Sequence, residues 1–197
     1  MGKKKKAKKA AGKLLKVDAK AREAVLPYQQ NPAVKVLSLL SDAGDQPPML
    51  TLSGSVLALG LVGRNGRLIR AGSRMIAAHL LATAAKNYIK HRVDRTRPRS
   101  ASGRNGHKPK PGHNRAKEET SFPSGHSAGA MAVAQAFARE LPEYRGAALS
   151  GAGVIALAQI PRCAHYPTDV GAGLAIGWLS ELAVDRAARL LPSRLRG

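Results

Sequence analysis

Apolar segments at residues 49–63, 71–90, 127–138, 146–160 and 170–184 carry most of the chain's hydrophobic residues. Each is rich in Ala, Gly and Leu, poor in β-branched runs, and bounded by Gly, Pro or charge; His79 interrupts the second. No period-2 alternation is sustained and no internal repeat is visible, so the pattern is that of helices and the expected fold class is all-α. A shorter amphipathic helix is expected from Pro32. Val34, Val36, Leu37, Leu39 and Leu40 fall near helical period there, behind Asn31 as cap and ahead of Gly44 as stop. The whole reads as a bundle of about five to six helices in one domain over 21–197.

The apolar runs are about 11 to 16 residues long, short of the roughly 18 to 20 that cross a hydrocarbon core unaided. Small residues nevertheless suit helix interfaces within a membrane. The charges are also ordered: Arg64, Arg67, Arg70 and Arg74, then Arg139 and Arg145, then Arg186, Arg189, Arg194 and Arg196 fall on one side if four segments cross. The loops 91–123 and 161–169 then share the other side. The expectation is a membrane-embedded bundle, multi-pass in a cell (inner) membrane.

The start, MGKKKKAKKAAGKLLK, is different. Residues 1–20 read as a disordered basic tail suited to an anionic surface. A formal net charge of +21 points to anionic partners. With 4% aromatic residues the chain lacks base-stacking platforms, so nucleic acid is not the expected partner. Cys163 stands alone, which excludes an intrachain disulfide and a multi-cysteine zinc site.

The polar candidates gather in the two loops. In KHRVDRTRPR, Lys90 and Arg97 are seven apart, and Pro98 biases Arg97 out of helix, so Lys90 ends a helix and Arg97 begins the loop. In PSGHSAGAMAVAQAFA, Ser124 and Gly125 precede a helical run whose first free N–H groups make an anion site. Ser124 can cap or donate there, and His126 can shuttle a proton. In IPRCAHYPTDV, His165 and Asp169 are four apart, with Pro167 suited to a first helical turn. Asp169 can orient the imidazole for attack, although as an isolated pair the two equally make a buried polar contact.

Gly125 to Gly129 also spells G-H-S-A-G, the nucleophile elbow of serine hydrolases with Ser127 attacking. That reading needs a strand upstream and an acid then a histidine downstream. The upstream AKEETSFPS is polar, and no histidine follows His165. Ser127 is read as a small helical residue.

Taken together, K-x6-R-P, P-S-G-H and H-x3-D resemble the type 2 phosphatidic acid phosphatase (PAP2) family, relatives of the vanadium-dependent haloperoxidases, over residues 90 to 169. The resemblance implies a helical bundle and a phosphatase that needs no cofactor or metal. It implies His165 as nucleophile through a phosphohistidine, Asp169 as its partner, and His126 as general acid. Lys90, Arg97, Ser124 and Gly125 would bind the phosphoryl oxygens. The implied substrate is a lipid phosphate or diphosphate, phosphatidate-like or polyprenyl. One position departs: the family's third motif is S-R-x5-H-x3-D, and here Ala158 and Gln159 stand where Ser and Arg are expected. Arg162 is the replacement cation within reach along the chain. Two other readings fit the same residues: a vanadate-dependent oxidase on this scaffold, or a non-enzymatic basic protein that binds anionic lipid or nucleic acid around a degraded site.

Overall fold

The structure is a computed structural model that describes residues 2–102 and 108–190; Arg194 and Arg196 lie outside them. Seven α-helices follow in order: α1 (Gly2–Val25), α2 (Pro32–Ser41), α3 (Gln46–Val62), α4 (Gly66–Lys90), α5 (Gly125–Glu140), α6 (Arg145–Ala158) and α7 (Pro167–Leu190). The all-α expectation holds, and the added helix is α1. A two-residue antiparallel pair, Val93–Asp94 with Lys110–Pro111, ties the long loop after α4.

Local chemistry sets the boundaries. The Asn31 side chain accepts from Ala33 N at 2.8 Å and starts α2. Asn65 does the same for α4, after Arg64 turns the chain with φ 48°. Ser124 caps α5, and α4 stops at Lys90 before Arg97 enters the loop.

Residues 2–25 form one helix where the lysine run suggests a disordered tail to residue 20. Specific partners at the far end of α1 override the average charge. Asp18 is fully buried, accepting from Arg95 Nη2 at 2.5 Å and from Thr168 N at 3.1 Å. Arg22 donates to the carbonyls of Pro98 (2.8 Å) and Ala101 (2.6 Å).

At the centre α4, α5 and α7 pack together, with α3 on α4 and α6 on α5. The core is small: Met75, Ala78 and Ala82 of α4 meet Ala128, Ala132, Val133 and Ala136 of α5. Close approach of backbones replaces bulk. A Cβ at Gly177 would come within 2.3 Å of Ala128 O, and one at Gly173 within 2.4 Å of Ser124 O. This contact brings the N-termini of α5 and α7 side by side. At the opposite end, Arg70 and Arg74 reach Glu140 (2.9 and 3.0 Å). Arg74 and Arg139 also reach Asp185 (2.8 and 3.2 Å).

No described helix is long and apolar enough to cross a membrane. The helices are not covered by apolar partners either. Val36, Leu39 and Leu40 of α2, Leu59, Leu61 and Val62 of α3, and Trp178 and Leu179 of α7 are exposed.

Candidate active site

A cavity of about 440 Å³ lies between the C-terminus of α4, the N-terminus of α5 and the loop leading into α7. The turn Asp42–Gly44 and Asp45 close it from the α2–α3 side. Lys90, Arg97, Gly125, His126, Arg162 and His165, six of the residues expected from the motifs, all line it. Asp169 and Ser124 do not. Asp169 stands buried beside His165. Ser124 is fully buried, and its hydroxyl accepts from Ser127 N (3.4 Å) and Ser127 Oγ (2.9 Å). Ser124 therefore caps the first turn of α5 as an acceptor, behind the cavity wall rather than on it.

His165 is held by the backbone. Its Nδ1 lies 2.7 Å from the Ser121 carbonyl oxygen, which can only accept. Nδ1 therefore carries the hydrogen, and the lone pair is on Nε2. The Asp169 Oδ2 is 3.8 Å from Nδ1, beyond hydrogen-bonding distance, so Asp169 does not fix the tautomer by direct contact as the motif suggests. Its carboxylate is committed elsewhere: to the Ser121 hydroxyl (2.5 Å), to Tyr166 N (2.9 Å) and to the Arg95 guanidinium. Asp169 thus anchors both the carbonyl that orients His165 and the residue after it. Burial pushes Asp169 upward, but His165 and Arg95 outweigh it and hold the carboxyl below its ordinary range. Burial presses His165 down to about 4; Arg97 and Lys90 add to this, against the opposing pull of Asp169. The ring is neutral at neutral pH.

Of the cavity cations, Lys90 and Arg97 are held without a carboxylate among the described residues, and Arg162 has one. Arg97 donates to the carbonyls of Lys117 (2.8 Å) and Ala164 (3.2 Å). Lys90 forms no hydrogen bond or ion pair with a described residue, and burial, then Arg97 and Lys86, press it down to about 8. Arg162 reaches the wall tethered to Asp42 at 2.9 Å and to the Ser41 hydroxyl. Gln159, at the family's arginine position, is fully buried; its Nε2 donates to Ile155 O at 3.0 Å and its Oε1 has no partner. Across the cavity His126 Nε2 is 3.0 Å from Asp45 Oδ1. Burial lowers His126, and Asp45 opposes the shift. Asp42, Asp45 and His126 bring ligand atoms within 4.8 Å of one another, the spacing a cation needs, although Arg162 already occupies Asp42.

Asp45, Lys86 and Arg95 are the site residues that sequence reasoning missed. Lys86 carried a signal, four residues before Lys90 on one helix face. Asp45 carried no signal in the sequence beyond its place after Gly44. Arg95 was one of several arginines in a basic loop. The elbow reading fails on geometry: Ser127 is buried inside α5 against Ser124, and bends rather than a strand precede it.

The family model of the PAP2 superfamily matches residues 71–189. Lipid A 1-phosphatases of Rhizobium etli and Rhizobium johnstonii are each 46% identical over 70 residues, 35% of this chain and 30% and 29% of theirs. The match thus spans less than a third of those relatives. A transmembrane PAP2-type phosphatidylglycerolphosphate phosphatase from Bacillus subtilis shares the fold with a TM-score of 0.61 at 20% identity, over 89% of this chain and 86% of that one.

Proposed function

The chain belongs to the PAP2 superfamily, and on that premise we propose that it is a phosphoric ester hydrolase that removes a phosphoryl group from a lipid phosphate or diphosphate. The observation that carries the reading is the tautomer of His165. Its Nδ1–H is bound to Ser121 O, and its Nε2 lone pair is available in a cavity walled by Lys90, Arg97 and Arg162.

Phosphoryl transfer spreads negative charge over the equatorial oxygens, so catalysis is mainly positioning and fixed electrostatics. Lys90, Arg97, Arg162 and the free amides at Gly125 supply both, and the chemistry needs no metal. His165 Nε2 attacks phosphorus and forms a phosphohistidine as the bond to the leaving oxygen breaks. Protonated His126 gives its proton to that oxygen. Neutral His126 then takes a proton from water, whose oxygen attacks phosphorus and releases His165 and orthophosphate.

The apolar surface supports a membrane location. The stretch from Pro47 to Val62 has no charged residue, and α2, α3 and α7 leave large apolar side chains uncovered. We place these faces in lipid, with the cavity loops at the membrane surface and the lysine-bearing turns of α1 against anionic headgroups. Lipid A 1-phosphatase is the activity of the matched relatives, and a lipid phosphate is the substrate class this supports. The test is phosphate release from lipid monophosphates and diphosphates in chelator. Release that His165→Ala abolishes supports the reading. Release that survives His165→Ala, or anion binding without turnover in the wild type, sinks it.

A further inference from the structure

We infer that the cavity contains a second phosphoryl subsite, built by His79, Thr83 and Lys86 on α4, so that the substrate is a diphosphate whose departing half lies there. The inference rests on the phosphatase reading and adds the substrate class to it.

His79, Thr83, Lys86 and Lys90 fall at i, i+4, i+7 and i+11 on α4, and all four line the cavity. The other inward residues of that helix are Ala71, Gly72, Met75, Ala78 and Ala82. A polar stripe about 16 Å long therefore runs inward from the reacting phosphoryl site. One phosphoryl group at Lys90 covers only its outer end.

Two of the three groups beyond Lys90, His79 and Lys86, lack hydrogen-bond partners among the described residues. His79 is 2% exposed, and neither ring nitrogen makes a hydrogen bond. Its Nδ1 side leans on the backbone of Gly129, and a Cβ at Gly129 would come within 2.9 Å of the ring. A buried imidazole nitrogen is costly when unpaired, and a phosphoryl oxygen can accept from the one N–H of the neutral ring. Lys86 has no hydrogen bond or ion pair with a described residue, and a Cβ at Gly125 would lie 3.3 Å from its Nζ. The nearest carboxylate, Asp45, is already against His126.

Position decides what these groups meet. His126 protonates the leaving oxygen, so whatever hangs from that oxygen lies on the His126 side, where Lys86 stands beside Gly125. A cation, a hydroxyl and a neutral imidazole suit a second phosphoryl group and not an alkyl chain. The walls offer an apolar chain little beyond Ala164. A separate cavity of about 270 Å³, between α3, α5 and α6, is apolar throughout. In the first step the His165 Nε2–P bond forms and the bridging P–O bond breaks. The electron pair stays on the bridging oxygen of the departing phosphate ester, which takes the His126 proton while Lys86 balances the remaining charge.

The test compares orthophosphate with methylenediphosphonate, which cannot be hydrolysed, as competitive inhibitors of the full chain. The wild type binds the diphosphonate at least about tenfold more tightly, and Lys86→Met loses about tenfold more affinity for the diphosphonate than for orthophosphate. His79→Asn, checked for folding by thermal melting, shifts the same ratio in the same direction, whereas Lys90→Met weakens both ligands. No preference in the wild type, or equal losses for both ligands in Lys86→Met, overturns the second subsite. Absence of both inhibition and turnover overturns the phosphatase reading itself.

Discussion

His165 and His126 share a cavity, and the proposed reaction needs them in different protonation states. Burial keeps His165 neutral down to about pH 4, as a nucleophile requires. In the proposed mechanism His126 is protonated when the leaving group departs, and burial sets its pKa below the ordinary imidazole value despite Asp45. The sign follows directly: kcat/KM rises as pH climbs through about 4, then falls where His126 loses its proton, below pH 6.5. The account predicts an acid optimum for a soluble phosphomonoester. Asp45→Asn removes the charge that favours protonated His126 and shifts the falling limb to lower pH. A falling limb near 8 that moves in Lys90→Arg would instead assign it to the lysine. The residue types of the site were legible because imidazoles and cations recur at fixed spacing around helix ends. Their second partners were not. Ser121 binds His165 through its backbone carbonyl, which every residue possesses, so no side-chain pattern announces it.

Among the elements, α1 shows how far local composition misleads. Lys5, Lys6, Lys8, Lys9, Lys13, Lys16 and Lys20 are exposed, but Asp18 and Arg22 reach the loop that carries Arg97 and the start of α7. Arg95 joins the two ends: its guanidinium pairs with Asp18 and Asp169 and lies 4.1 Å from the centre of the Tyr166 ring. Asp18→Asn removes one carboxylate from a buried cation and is expected to cost about 3 kcal/mol in chemical denaturation. Phosphate release falls with it, because Arg95 also positions Asp169. Unchanged stability would show α1 to be an accessory. The other helices were legible from their apolar runs and caps. The docking of α1 was not, since one acid among many lysines counts for little in an average and for a great deal when a buried arginine faces it.

Across the whole molecule charge is sorted by end. Lys86, Lys90, Arg97 and Arg162 face the cavity, whereas Arg70, Arg74 and Arg139 are tied to Glu140, Glu181 and Asp185 at the far end. The sequence shows those arginines as an orientation signal, and only folding reveals their carboxylate partners, which come from other helices. The lysine-bearing turns remain outside this arrangement. Deletion of residues 2–16 removes eight lysines while leaving Asp18 and Arg22. Turnover of a soluble phosphomonoester should persist, and binding to anionic vesicles should weaken, most clearly at low salt, by up to about 1 kcal/mol per lysine. Loss of soluble turnover would show that these turns support the site.

The most direct test is to quench the enzyme in base during turnover of a phosphorylated substrate and locate the phosphoryl group by peptide mass spectrometry. The account predicts a base-stable, acid-labile phosphoryl group on His165, increased in His126→Ala if water attack becomes slower than phosphoryl transfer to His165. Phosphoryl label on any other residue, or turnover with no labelled His165 in either protein, would contradict it.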